Sequence, residues 1–345
     1  MIKNANPYTL VFGKTPAQNI SRFAEMGEVL DTFENDPPNQ QIYMIGGTRG
    51  SGKTVFMTEI SHELRSRKDW ETIELTTSQD MLSALAQALY NENRFVKILK
   101  QGAGLSVMGF GVQINGVTEI SNPQIAIKEA LVKMKKQGKK LLVCIDEVVS
   151  NDYMKEFVGI FQILIREDLP LFLLMTGLYE NIRDLREEKN LTFLYRAPEI
   201  RLKPLNLGAI ADNYEKNLSV TQDAAAKMAA LTKGYSFAFQ VLGYFTFRHE
   251  GDFEAAIPEY RQYLEEYVYE KIWAELSGGD KKLLRAIAES KEGKTKEVKQ
   301  ISGLKNNEYT PYRDRLIKKM LVNGDEYGTL KITLPLFDEF ALRMM

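Results

Sequence analysis

Apolar and polar residues follow two rhythms along the first two hundred residues. Short, largely apolar runs at Gln41–Ile45, Trp70–Leu75, Leu141–Ile145, Leu171–Met175 and Glu199–Leu202 are too brief for helices and predict strands. Leu141–Ile145 and Leu171–Met175 carry no polar residue, which suits strands covered on both faces. Between the runs, apolar positions recur at helical spacing: near 18–35, from Thr54 to about Arg67 (Val55, Phe56, Ile60, Leu64), over Met81–Tyr90 and over 123–137. Asp36–Pro37–Pro38 stops the first of these helices. Strands alternating with helices imply βαβ units, hence a parallel sheet with right-handed crossovers. Residues 105–118 (LSVMGFGVQINGVT) break the pattern, being glycine-rich and alternating at period two. Asn115–Gly116 there predicts either a β-hairpin or an ordered surface loop.

Past Pro204 the pattern becomes helical throughout, at Leu207–Lys216, Asp223–Thr232, Phe237–His249 and Ile257–Glu275. Ser277–Gly278–Gly279 reads as a break and a linker. Beyond it, helices at Lys281–Ser290, Lys296–Ile301 and Tyr309–Leu321 lead to a hairpin over Gly324–Thr333 and a last short helix. That order is the order of a winged helix.

Composition narrows the classes. A net charge of -1 gives no global attraction to nucleic acid or to an anionic membrane, so any such affinity must be local. One cysteine, Cys144, rules out an intramolecular disulfide, and its place inside an apolar strand marks it as an inert thiol. His62 and His249 lie far apart in charged stretches and make poor metal ligands. The N-terminus lacks a signal-peptide core and no apolar run reaches a membrane span, so a cytoplasmic protein with no membrane partner is expected.

Between the first strand and its helix stands Gly47–Thr48–Arg49–Gly50–Ser51–Gly52–Lys53–Thr54, which satisfies G-x-x-x-x-G-K-[ST]. Glycines let the backbone form a nest of N–H groups around phosphate oxygens, and the following helix adds its positive dipole end. Lys53 is placed for the β- and γ-phosphates of ATP, and the Thr54 hydroxyl for Mg2+. A second motif, Leu141–Glu147, is an apolar strand ending in two acids. Its position at the C-terminal edge of a parallel sheet is where such sheets bind ligands. Asp146 is expected to hold Mg2+ through water and Glu147 to polarise the attacking water. The fold class is therefore α/β: a P-loop NTPase core over 1–205, an all-helical lid over 206–276 and a winged helix over 277–345.

With both motifs in place, the chain resembles AAA+ ATPases of the origin-recognition-like and archaeal-ATPase kind, which are related to the signal-transduction (STAND) ATPases. The likeness runs through Pro7–Tyr8, Phe12–Gly13 and Pro16, the loop GGTRGSGKT, the strand LLVCIDE, the strand LPLFLLMTGL and the segment LYRAPEIRLKPL. It implies that Thr176 meets the γ-phosphate or the attacking water, and that Arg196 can serve as an arginine finger toward a neighbouring subunit. The family's lid commonly carries a Gly-x-Pro or an arginine directed at the nucleotide. Here the stretch Gly234–Gln240 has neither, which leaves Gln240 for any such role. The arginine that STAND ATPases carry on the fourth strand is also absent.

In the last segment, eight basic residues face three acidic ones between 294 and 319, a local excess of five positive charges. Lys299, Thr310, Tyr312, Arg313, Arg315 and Lys318 are the expected contacts to duplex DNA. One expectation is thus an ATPase whose ATP cycle controls assembly or conformation on DNA. The other is an ATP-operated switch whose winged helix docks a protein partner or a second copy, to which the acidic stretch at 252–270 is suited.

Overall fold

The computed structural model describes residues 5–11, 16–100, 111–114 and 117–344. Phe12, Gly13, the turn Asn115–Gly116 and the segment 105–110 lie outside the described residues. The chain forms two compact units.

One unit comprises Phe23–Gly46 and Phe56–Arg201. Its strands are β1 (Ile42–Gly46), β2 (Trp70–Leu75), the antiparallel pair β3 (Gly111–Ile114) and β4 (Val117–Ile120), then β5 (Lys140–Ile145), β6 (Leu171–Gly177) and β7 (Glu199–Arg201). Five of them make a parallel sheet in the order β2-β5-β6-β1-β7, as the alternation of elements requires. Ile145 pairs with Met175, and Ile45 with Thr176. This register brings Gly46, Asp146 and Thr176 together to the C-terminal edge of the sheet. The helices are α1 (Phe23–Glu34), α2 (Lys53–Arg65, which starts in the other unit), α3 (Met81–Asn91), α4 (Asn93–Lys100), α5 (Pro123–Lys136), α6 (Asp152–Arg166) and α7 (Tyr179–Arg186). Asp80, Asn122 and Asn151 cap α3, α5 and α6 by accepting N–H groups three residues on. Every residue of β1 and β6 is buried. Phe33, Tyr43, Trp70 and Phe172 interlock with ring centroids 4.8 to 6.2 Å apart. The helices α4, α6 and α7 are absent from the sequence expectation. The strand pair β3/β4 agrees with the hairpin alternative for 105–118.

The other unit joins the N-terminal lead-in to Arg22, the loop Gly47–Val55 and everything from Leu202. It contains α8 (Leu207–Asn217), α9 (Gln222–Thr232), α10 (Ser236–Arg248), α11 (Phe253–Leu264), a π-helical turn at Glu265–Tyr269 and α12 (Glu270–Ala274). Then follow α13 (Gly278–Glu289), α14 (Thr295–Ser302), α15 (Asn306–Lys318), the strand pair β8 (Val322–Asn323) and β9 (Lys331–Ile332), and α16 (Phe337–Arg343). One apolar cluster runs from Tyr8 through Phe239, Tyr269 and Leu284 to Phe340. Tyr8 anchors the lead-in: its ring packs on Tyr214 and Phe239, and its hydroxyl donates to Asn213 Oδ1 at 2.8 Å.

Ser277–Gly278–Gly279 is a helix start rather than a linker. The Ser277 hydroxyl accepts the Asp280 N–H, and the Asp280 carboxylate accepts the Ser277 N–H at 3.1 Å, closing a capping box. The second glycine has a packing reason, since a Cβ on Gly279 would collide with the ring of Tyr312.

Candidate functional site: a phosphate loop and a carboxylate edge

The loop leaves β1 after Gly46 and enters α2 at Lys53, as its motif requires. Gly50 and Gly52 take φ of 69° and 90°, the left-handed region that lets successive N–H groups turn to one side. Lys53 is buried, and its ammonium donates to the carbonyls of Gly47 (3.0 Å) and Thr48 (2.8 Å), so the side chain lies across the loop. Thr54 is the second residue of α2. The Ser51 hydroxyl is buried against Gly47 and has no hydrogen-bond partner among the described residues. A buried orphan hydroxyl beside a nest of amides fits a site built for an anion with several oxygens.

The opposite, carbonyl side of the loop is held by the start of α10. Tyr235 Oη donates to the Arg49 carbonyl at 2.5 Å, the Phe237 N–H to the Gly50 carbonyl at 3.1 Å, and the Ser236 hydroxyl to the Ser51 carbonyl at 3.0 Å. Arg22 Nη2 adds a donor to the Ser51 carbonyl at 3.2 Å. A Cβ on Gly50 would come within 2.9 Å of Phe237 Cβ. The Arg49 guanidinium pairs with Glu275, at the end of α12, at 2.7 Å. Tyr235 is buried, which pushes its phenol upward. None of these contacts is visible in the sequence, which shows only that proline and arginine are missing from 234–240. Gln240 takes no part. Its amide donates to the Gln18 carbonyl (2.5 Å) and accepts the Thr9 N–H (3.3 Å), tying down the lead-in instead.

In the sheet unit, Asp146 and Glu147 follow β5, with Asp146 partly covered and Glu147 exposed. Glu147 has φ of 51°, an uncommon backbone for a residue other than glycine. Thr176, wholly buried in β6, holds both acids: its hydroxyl donates to Asp146 Oδ1 and accepts the Glu147 N–H at 3.1 Å. The Val148 N–H donates to the Thr176 carbonyl at 2.8 Å, fixing the turn from both sides. Arg196 ends a short 3-10 turn and is exposed, with no ion pair among the described residues. The neighbouring Arg201 and Arg186 are committed to Glu199 at 3.1 and 2.7 Å. Cys144 lies buried in β5, and burial pushes its thiol up to about 12.

The expected DNA contacts near the C-terminus separate by exposure. Thr310 and Lys318 on α15 are exposed. Lys299 is half-buried, with its ammonium 4.8 Å from the Tyr309 ring centre, and Arg313 pairs with Asp314 at 3.0 Å. Arg315 and Tyr312 face inward. The Arg315 guanidinium meets Asp280 Oδ1 at 2.8 Å and the Ser277 hydroxyl at 2.9 Å, and lies 5.1 Å over the Tyr312 ring, which rests on Gly279. These two residues join α13 to α15, a packing role that a charge count cannot distinguish from a surface one. Among the described residues no three His, Cys, Asp or Glu side chains gather as a metal site, and His249 bonds to Glu259 at 2.5 Å. No helix among them is long and apolar enough to cross a membrane.

In fold, the chain has a core of five parallel strands with a glycine-rich strand-to-helix loop, followed by a largely helical region, and it is similar to solved ATPase structures. Solved structures with this fold include the Walker-type ATPase of Pyrococcus abyssi, at 17% identity and TM-score 0.67, covering 94% of this chain and 96% of that one. Two others, each at 13% identity and covering 96% of this chain and 94% of theirs, are Cdc6p from Pyrobaculum aerophilum (TM-score 0.50) and the ADP form of the Aeropyrum pernix ORC2 protein (TM-score 0.52). A family model described as a domain of unknown function, DUF8462, matches residues 266–341. No curated protein matches the chain.

Proposed function

We propose that the chain is a Mg2+-dependent ATPase of the AAA+ kind whose nucleotide state sets the conformation of its helical and C-terminal regions, and that the C-terminal region contacts duplex DNA. The observation that carries this reading is the loop Gly47–Thr54, with its left-handed glycines, its buried orphan hydroxyl and Lys53 laid across it. In this reading the loop amides and the α2 dipole bind the phosphates of ATP, and Lys53 exchanges two carbonyls for phosphate oxygens. The Thr54 hydroxyl and the Asp146 carboxylate are hard oxygen donors suited to Mg2+, which when bound neutralises phosphate charge. Glu147 takes a proton from the attacking water. Thr176 serves by holding Asp146 and the Glu147 amide in place. Arg196, exposed and without an ion pair among the described residues, is free to act toward a neighbouring copy.

The contacts from Tyr235, Ser236 and Phe237 support a switch. Phosphates would act on the N–H side of the same peptide units whose carbonyls hold α10. For DNA, the supporting residues are Thr310 and Lys318, exposed on α15, with Lys299 and Arg313 partly exposed. Glu147→Gln is the test. It should retain ATP binding while turnover falls by about a hundredfold or more, the usual size of a general-base effect. Turnover at the original rate would overturn the assignment of Glu147.

A further inference from the structure

The C-terminal region carries a cleft unrelated to the phosphate loop. It has a volume of about 320 Å3 and is walled by one face of α13, the end of α14 and Trp273. On α13 the lining residues fall at helical spacing, with Lys281, Lys282 and Arg285 presenting three cations and Glu289 a single acid. The rest of the wall is mainly apolar, from Trp273, Ala286, Ile301 and Met344, with Gly278 and Ser302.

The cations are uncommitted. Lys281, Lys282 and Arg285 have no ion pair among the described residues, although most other arginines of the unit do. Among the described residues, Arg285 Nε is buried with no acceptor, as are Arg49 Nε and Arg186 Nε, but those two arginines are ion-paired through their terminal nitrogens and Arg285 is not. The ammonium of Lys281 lies 5.6 Å from the Trp273 ring centre, so the aromatic wall and the charged rim meet. Ile301 is 38% exposed at the edge.

We infer that this cleft binds an acidic peptide segment of a protein partner, with a carboxylate on Arg285 and the lysines and a neighbouring apolar side chain against Trp273 and Ile301. Duplex DNA is the poorer match. Phosphate contacts are made by donors that project toward the backbone, and a concave floor of Trp, Ala and Ile would gain nothing from them. An acidic residue beside an apolar one offsets the unpaired cations of the rim and covers the apolar wall together.

The test uses the full chain and two fluorescein-labelled decapeptides, one alternating glutamate with leucine and one alternating glutamine with leucine, read by anisotropy. The glutamate peptide should bind, and the glutamine peptide at least tenfold more weakly. Arg285→Met keeps the aliphatic stem and should weaken binding tenfold or more. Ile301→Glu, at an exposed position, should do the same by placing a like charge at the rim. Lys318→Ala should leave peptide binding unchanged. Equal binding of both peptides, or unchanged binding by Arg285→Met and Ile301→Glu, would overturn the inference. So would a duplex that competes with the peptide on the parent chain and loses affinity with Arg285→Met, because the site would then be a nucleic-acid site.

Discussion

The phosphate loop and helix α15 were both read from short stretches of sequence, and the structure treats the two readings differently. In the loop, each singled-out residue serves through its backbone or lies where the strand-to-helix junction puts it: Gly50 and Gly52 in left-handed turns, Lys53 at the first position of α2. On α15 the residues stand out by charge and by their place near the start of the helix, and neither says which way a side chain faces. Thr310 and Lys318 are exposed, while Arg315 and Tyr312 turn inward to Asp280 and Gly279. A motif defined by backbone geometry survives folding as written. A motif defined by composition is divided between surface and packing.

The sharpest way to break this contrast is at Arg315. Asp280 is almost wholly buried, and removing its guanidinium partner leaves a carboxylate without a counter-charge. Because Arg315 is itself one-third exposed, Arg315→Ala should cost about 2–3 kcal/mol rather than the full value for a buried pair. Urea unfolding measures this, and an unchanged midpoint would return Arg315 to the surface group. The next effect is at Tyr235, where Tyr235→Phe keeps the ring and removes one donor to the loop. It should lower stability by about 1 kcal/mol and speed hydrogen exchange in residues 49–51. Exchange at the parent rate would mean that α10 does not restrain the loop. The smallest stability effect is at Lys318, where Lys318→Ala should stay within about 0.5 kcal/mol of the parent. If the proposed contact with DNA holds, its mark is there: the slope of log affinity against log salt should fall by about 1. A full slope would remove Lys318 from the DNA surface.

The central strands were legible because parallel strands covered on both faces leave runs with nothing polar in them, while the edge strand Trp70–Leu75 shows instead as a short run of mixed polarity. Trp70–Leu75 appears with the expected bounds, and Leu171–Gly177 extends its expected run by two residues. The glycine loop after β1 and the acid pair after β5 were legible as punctuation at strand ends. Helix α6 has no counterpart in the sequence expectation, although Met154, Phe157, Val158, Phe161 and Leu164 repeat at helical spacing. Helix α7 gives a weak signal, with only Ile182 and Leu185 buried in a charged stretch. The grip of α10 on the loop could not be read at all. It uses a phenol, a serine and a main-chain N–H brought about 185 residues along the chain to three carbonyls. Ser277–Gly279 misled for a related reason: glycines mark flexibility in sequence, but here one of them makes room for Tyr312.

The lone cysteine has a practical consequence. Cys144 sits in the second strand of a five-stranded sheet, fully covered, with its thiol held protonated at neutral pH. A thiol reagent therefore has nothing to attack until β5 is uncovered. With no second sulfhydryl in the chain to confuse the signal, the rate of labelling is a clock on the opening of the five-stranded sheet.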